Sequence, residues 1–116
     1  MSELNWSSPA LHEACARFLG WRDICVDSDC EYTYGVVEAV GRVGVAFAED
    51  WRLLLHPLAS EHAVTIGTSN WTDTEWMVTL YSRATGRYCC TTRSKYNDPG
   101  LAVARAVFAL MESENV

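Results

Sequence analysis

Hydrophobic positions near the start of the chain recur at helical spacing. They follow the i, i+3, i+4, i+7, i+8 pattern of one helix face, and the residues are Leu11, Ala14, Cys15, Phe18 and Leu19. Ser8-Pro9 ahead of this stripe and Gly20 behind it are typical of the beginning and the end of a helix. The pattern therefore predicts an amphipathic helix with one face in water.

A second helix is predicted near the end of the chain, and it is apolar on almost all sides. Residues 101–111 contain one charge, Arg105, and Asp98-Pro99-Gly100 ahead of them supplies an N-cap and a proline at the first helical position. A helix of this kind must be covered on more than one side. We expect it to pack deep against a sheet or to meet another subunit.

Between these helices the pattern is that of β-strands. Residues 32–40 are rich in β-branched and aromatic side chains, and residues 63–68, 75–82 and 87–93 predict three further strands, the last two joined by a turn at Ala84-Thr85-Gly86. Residues 47–58 are ambiguous, because their hydrophobic positions fit a helix but Pro57 cannot lie inside an undisturbed one. We expect either a helix broken near His56 or a loop leading to a short helix that starts at Pro57.

The order of these elements predicts one α+β domain over residues 1–116. An antiparallel three- to four-stranded sheet is expected, packed by N-terminal and C-terminal helices. The chain has 116 residues, of which 49% are hydrophobic and 21% charged, which is an ordinary globular balance.

Charge and cysteine content narrow the class of protein. The net charge of −6 argues against direct binding to nucleic acid or to an anionic membrane and permits a basic protein partner. The polar N-terminus is unlike a signal peptide, and no apolar run approaches the roughly 20 residues of a membrane span. Five cysteines, an odd number, fit a reducing compartment. We therefore expect a soluble, cytoplasmic protein.

Several short motifs follow one another along the chain. They are Gly20-Trp21, Asp50-Trp51, Pro57-Leu58, Glu61, Val64 with Ile66, Trp76, and Asn97-Asp98-Pro99 before an alanine-containing helix over residues 101–110. In this order, over most of the chain from about Leu11 onward, the sequence resembles the NinX-like and related phage ABA-sandwich family of small tailed-phage and prophage proteins. Two departures are Leu54 and Leu55 in place of the family's glycines, and Gly100 within the Pro-Leu pair. The resemblance implies a phage accessory protein with no established enzymatic activity, and so no catalytic residues.

Candidate metal ligands lack the usual pattern of a metal site. Zinc sites are typically built from closely spaced cysteine pairs. Cys25 and Cys30 are separated by four residues, and the adjacent Cys89 and Cys90 would point to opposite faces of a strand. Asp27, Asp29 and Glu31 alternate as in the first half of a calcium loop, but Tyr32 stands at the sixth position, where such a loop needs glycine. We predict no metal and no cofactor, and interpret the three carboxylates either as a contact surface for a basic partner or as a solvated loop.

The five tryptophans divide into two groups. Trp21, Trp51 and Trp76 lie at pattern positions and are predicted in the core. Trp6 and Trp71 stand among polar residues, where each could anchor an interface or fold back over the core edge. Trp71, with Asp73 and Glu75 beside it, completes the predicted partner-binding set of Asp27, Asp29 and Glu31.

These observations predict a non-enzymatic, acidic phage or prophage protein that binds a host or phage protein, for example to inhibit a host factor or an anti-phage defence complex. The alternative is a small-ligand- or zinc-binding protein with a pocket between sheet and helices. A homodimer through the last helix is compatible with both hypotheses.

Overall fold

The computed structural model describes residues 4–68, 75–95 and 98–114. The elements are, in order, α1 (Pro9–Phe18), β1 (Arg22–Val26), β2 (Thr33–Val37), β3 (Gly41–Val45), α2 (Phe47–Asp50), a 3₁₀ turn (Trp51–Leu54), α3 (Leu55–Glu61), β4 (His62–Thr68), β5 (Glu75–Ser82), β6 (Tyr88–Lys95) and α4 (Pro99–Glu114). The strands form two antiparallel sheets, β1-β2-β3, here called sheet A, and β4-β5-β6, here called sheet B. The predicted α+β class with helices packed on an antiparallel sheet is confirmed, and the strands divide into two sheets of three.

Helix α4 lies against sheet B and α1, as its apolar surface predicts. Its buried residues are Leu101, Ala102, Val103, Ala104, Ala106 and Val107. Sheet B contributes Val78 and Leu80, both fully buried. Two side chains of β6 form hydrogen bonds that connect the sheet to the helix. The Thr92 hydroxyl donates to the Ala102 carbonyl (2.6 Å), and the Ser94 hydroxyl donates to the Asp98 carbonyl. The prediction that this helix is covered on more than one side is confirmed.

Helix α1 begins at Pro9 and ends where Gly20 was expected to stop it. Gly20 adopts φ +82°, a left-handed conformation that suits glycine, and the next residue, Trp21, donates its N–H to the Ala16 carbonyl (3.1 Å). Ser8 makes no side-chain cap to this helix, since its hydroxyl accepts the N–H of Asn5 instead (3.2 Å).

The first sheet differs from the sequence-based prediction. The strand expected over residues 32–40 is shorter, Thr33–Val37, and a turn with Gly41 at φ +96° leads into β3, which was not predicted. Strand β3 has two glycines among its five residues and so lacks the β-branched and aromatic enrichment that marks a strand. Gly44 is needed there because the ring of Tyr34 on β2 lies against it, and a Cβ would come within 2.8 Å of ring carbons.

The region after sheet A that the sequence left ambiguous forms three short helical segments over residues 47–61. The helical path is interrupted between Leu54 and Leu55, close to the break expected near His56, whereas the expected helix start at Pro57 is wrong because α3 already begins at Leu55. Pro57 is tolerated because it lies in the first turn of α3. A backbone N–H at this position would have no acceptor within the helix, so its absence costs no helical hydrogen bond.

Trp51 and Gly100 bring two separated motifs together. A Cβ on Gly100 would lie 2.2 Å from a carbon of the Trp51 indole, so only glycine allows this close approach. Trp21, Trp51 and Trp76 are partly buried against the core, as predicted. Among the residues described, no helix is long and apolar enough to cross a membrane.

Candidate functional site

The loop between β1 and β2 carries the three predicted contact carboxylates. Two backbone hydrogen bonds lie within the loop. Asp27 donates its N–H to the Tyr32 carbonyl (3.0 Å), and Cys30 donates its N–H to the Asp27 carbonyl (2.9 Å). Cys30 is buried at φ +59°, and its thiol approaches the Ser7 carbonyl (3.5 Å), which holds the loop to the N-terminal segment. The Glu31 N–H donates to the Asp29 carboxylate (3.2 Å). The loop is thus a hydrogen-bonded turn in which Asp29 and Glu31 are exposed and Asp27 is half-buried.

Two tyrosines that were not among the predicted contact residues lie beside these carboxylates. The rings of Tyr32 and Tyr34 stack with centroids 6.3 Å apart and an interplanar angle of 29°. Tyr32 is 42% exposed, while Tyr34 lies on the face of sheet A that carries Gly44. The name acidic tyrosine patch is used below for Asp27, Asp29, Glu31, Tyr32 and Tyr34. The signal for it was the Tyr-x-Tyr spacing directly after the acidic loop, because residues two apart share a face of a strand.

The electrostatics of Tyr34 support this grouping. Burial is the largest cause that raises the pKa of Tyr34, and the charge of Asp27 is the next, followed by smaller effects of Tyr32, Asp29 and Glu31. All three acidic side chains therefore act on one phenol. Within the described residues, none of the three forms an ion pair with a cation. The patch presents unpaired negative charge next to aromatic surface.

Of the other half of the predicted partner-binding set, the structure describes Glu75. Trp71 and Asp73 lie outside the described residues. Glu75 is exposed at the start of β5, in register with Lys95 of β6. It therefore belongs to sheet B, whereas the acidic tyrosine patch belongs to sheet A.

Trp6 folds back over the edge of the core. Its indole N–H donates to both carboxylate oxygens of Asp98 (2.9 and 3.2 Å), and its carbonyl lies 2.6 Å from Nε2 of the fully buried His12. Asp98 also caps α4 by accepting the Leu101 N–H (3.3 Å). A recess of about 540 Å³ lies here between the N-terminal segment, the end of β6 and the start of α4. The contacts of Trp6 are those of a residue that ties the N-terminus to α4.

The cysteines and histidines do not assemble into a metal site in the part of the chain that is described. No three of its His, Cys, Asp and Glu side chains converge as metal ligands would. All five cysteines are free thiols, Cys25 and Cys89 exposed, Cys15 and Cys30 buried, and Cys90 half-buried. Burial raises the pKa of the Cys15 thiol to about 12, so this thiol stays protonated at neutral pH. Burial, and then the neighbouring Cys89, raises the pKa of Cys90.

Comparisons of the chain with protein-family models, with curated proteins and with solved structures found no match. The geometry of the described residues is therefore the basis for assigning a function.

Proposed function

We propose that the protein is a non-enzymatic binding protein that docks a basic partner protein on the acidic tyrosine patch. The observation that supports this proposal is the placement of three carboxylates, which make no ion pair among the described residues, around two stacked tyrosines at the surface of sheet A. Tyrosines supply contact area at interfaces at a small cost in side-chain entropy, and the surrounding charge selects and steers a partner of opposite sign.

The chemistry of the patch favours a protein partner that presents arginine or lysine. Guanidinium groups pair with carboxylates and also stack on aromatic rings, so one arginine can use both features of this surface. Nucleic acid and anionic lipid would be repelled by the same carboxylates. The biological setting we propose is that of a phage or prophage accessory protein in the host cell cytoplasm, with a host factor or an anti-phage defence complex as the target.

A capture experiment with matched variants tests this proposal. The intact chain is immobilised beside a patch variant, Asp27→Asn with Asp29→Asn and Glu31→Gln, and a control variant, Glu38→Gln with Glu49→Gln and Asp50→Asn. The two variants lose the same charge, and the control positions lie outside the patch. Each is exposed to bacterial lysate at low and at raised ionic strength.

We expect one or more basic proteins to bind the intact chain and the control, to be lost from the patch variant, and to dissociate as salt is raised, because screening weakens exposed charge pairs. Purified partners are then titrated against all three proteins. Equal affinity for the patch variant and the control would contradict the proposal, as would a lysate from which the intact chain recovers no more than the patch variant.

A further inference from the structure

Four strands lie at the edges of the two sheets, and three of them carry features that discourage pairing with another chain. Strand β1 has charged residues Arg22 and Asp23 and a register irregularity, β3 has Arg42 between its glycines, and β6 has Arg93 and Lys95. Charges, bulges and short strands are the usual means of protecting an open edge.

The β6 edge is also occupied by the chain itself. Arg105 of α4 donates to the carbonyl of Arg93 (2.5 Å) and to that of Leu4 (2.6 Å), so a backbone acceptor of β6 is already used and the N-terminal segment lies beside it. The edge on the far side of sheet B differs in its residues and in its register, although at its first residue Arg83 donates to the His62 carbonyl (3.2 Å).

Strand β4, with the sequence HAVTIGT, has no Lys, Arg, Asp, Glu or Pro. Its pairing with β5 runs without a bulge through seven consecutive residues, from His62 to Thr68. In the described part of the chain no strand pairs with its other side. Helix α4 packs on β5 and β6, so the apolar side chain of Ile66 remains 37% exposed. This is a regular, uncharged edge with hydrophobic surface next to it.

We infer that β4 is an interface at which a second copy of this chain adds its own β4 in antiparallel orientation, so that two copies of sheet B form one continuous sheet. A second copy is the proposed partner because the sequence of β4 can pair with itself in antiparallel orientation, with Thr65 at the centre of the pairing. Antiparallel pairing centred there places Val64 opposite Ile66 of the other copy, Ala63 opposite Gly67, His62 opposite Thr68, and Thr65 opposite Thr65.

This register keeps every side chain on its own face of the sheet, because each pair joins two even or two odd positions. Val64 and Ile66 then meet the same two residues of the other copy on the face that bears α4, where Ile66 gains the cover it lacks in one chain. No like charges are opposed across the junction, although each copy carries a net charge of −6. The predicted homodimer through α4 has less surface to use, because residues 101–104, 106 and 107 are already buried within one chain.

The self-pair at Thr65 gives a direct test. Thr65 is exposed, and directly opposed side chains in an antiparallel pair lie about 5 Å apart, so one substitution places two like charges against each other across the symmetry axis. Light scattering after gel filtration, over micromolar to submillimolar concentrations, compares five samples. They are the intact chain, Thr65→Lys, Thr65→Glu, an equimolar mixture of these two variants, and Tyr88→Lys on the opposite edge strand. Circular dichroism verifies that each variant is folded.

We expect the intact chain and Tyr88→Lys to show twice the 13.0 kDa mass of one chain, each Thr65 variant alone to show the mass of one chain, and the mixture to recover the doubled mass. The recovery requires the introduced lysine of one copy to face the introduced glutamate of the other, which a general loss of stability cannot imitate. A monomeric intact chain throughout this range would overturn the inference. So would a dimer that persists in both Thr65 variants, since the interface would then lie elsewhere.

Discussion

The two sheets of this protein differ in what they contribute to the core. Sheet B supplies the fully buried Val78 and Leu80 to the core beneath α4, whereas none of the strands of sheet A contributes a fully buried apolar side chain. Sheet A instead has an exposed acidic loop and stacked tyrosines on its outer surface. The comparison teaches that the core contacts and the acidic surface lie in separate regions, so that a change in the surface proposed to bind a partner should leave the stability of the core largely intact.

The largest expected effect is a loss of stability on the side of sheet B. Leu80→Ala removes a fully buried side chain and should lower the free energy of unfolding by about 2–5 kcal/mol. Val36→Ala in sheet A, where the side chain is only half-buried, should lower it by less than about 1.5 kcal/mol. Urea unfolding followed by circular dichroism measures both. Equal losses would mean that sheet A is as much a part of the core as sheet B.

A smaller loss is expected where Trp51 packs on the backbone of α4. Gly100→Ala places a methyl group against the indole and should cost about 1–3 kcal/mol. In a Trp51→Leu background the same substitution should cost less, since the side chain that clashes has been removed. A double-mutant cycle by urea unfolding measures the coupling, and additive costs would show that the indole does not set the need for glycine.

The pH dependence of stability should report the buried thiol of α1. Burial holds the pKa of Cys15 at about 12 in the folded chain against 9.0 for the free thiol. The unfolded chain loses this proton first, so stability should be complete below pH 9 and fall as pH rises toward 12, by about 1–2 kcal/mol at pH 10. Cys15→Val should remove this component from urea unfolding curves measured between neutral and alkaline pH. An unchanged slope would assign the alkaline loss to other groups.

The smallest effect on stability is expected in the acidic tyrosine patch. Replacing Asp27, Asp29 and Glu31 with their amides should change the free energy of unfolding by less than about 0.5 kcal/mol, because the carboxylates make no ion pair within the described residues. The pKa of Tyr34 should fall and still remain raised, because its burial, the largest single cause, is unchanged. Ultraviolet titration, with Tyr34→Phe as the reference that removes its signal, measures this shift. An unmoved pKa would place the carboxylates too far from the phenol to form one surface.

Much of the fold could be predicted because its signals are local. The periodicity of α1 and α4, the glycine and proline residues at their ends and the alternation in residues 75–82 each lie within one element. Strand β3 could not be found in this way, because Gly44 is selected by the ring of Tyr34 on a neighbouring strand. Gly100 likewise looks like an interruption of a motif until Trp51, which is distant in sequence, is seen to pack on it.

The candidate site was predicted only in part for the same reason. Asp27, Asp29 and Glu31 form a recognisable run in the sequence. Their proximity to the stacked tyrosines depends on the direction in which the chain passes from the loop into β2, which the sequence does not reveal. Trp71 and Asp73, which the sequence groups with Glu75, remain a prediction outside the described residues.

The central claim, that sheet A recognises a partner while sheet B supports the fold, is tested most directly by photo-crosslinking in cells. A photoreactive phenylalanine analogue is placed at Tyr32 in the patch or at Tyr88 on sheet B, two tyrosines that are both exposed. The account predicts a crosslink to a basic protein from position 32, its loss when Asp27, Asp29 and Glu31 are neutralised, and none to that protein from position 88. The same crosslinked protein from both positions, or a crosslink at position 32 that survives neutralisation, would contradict it.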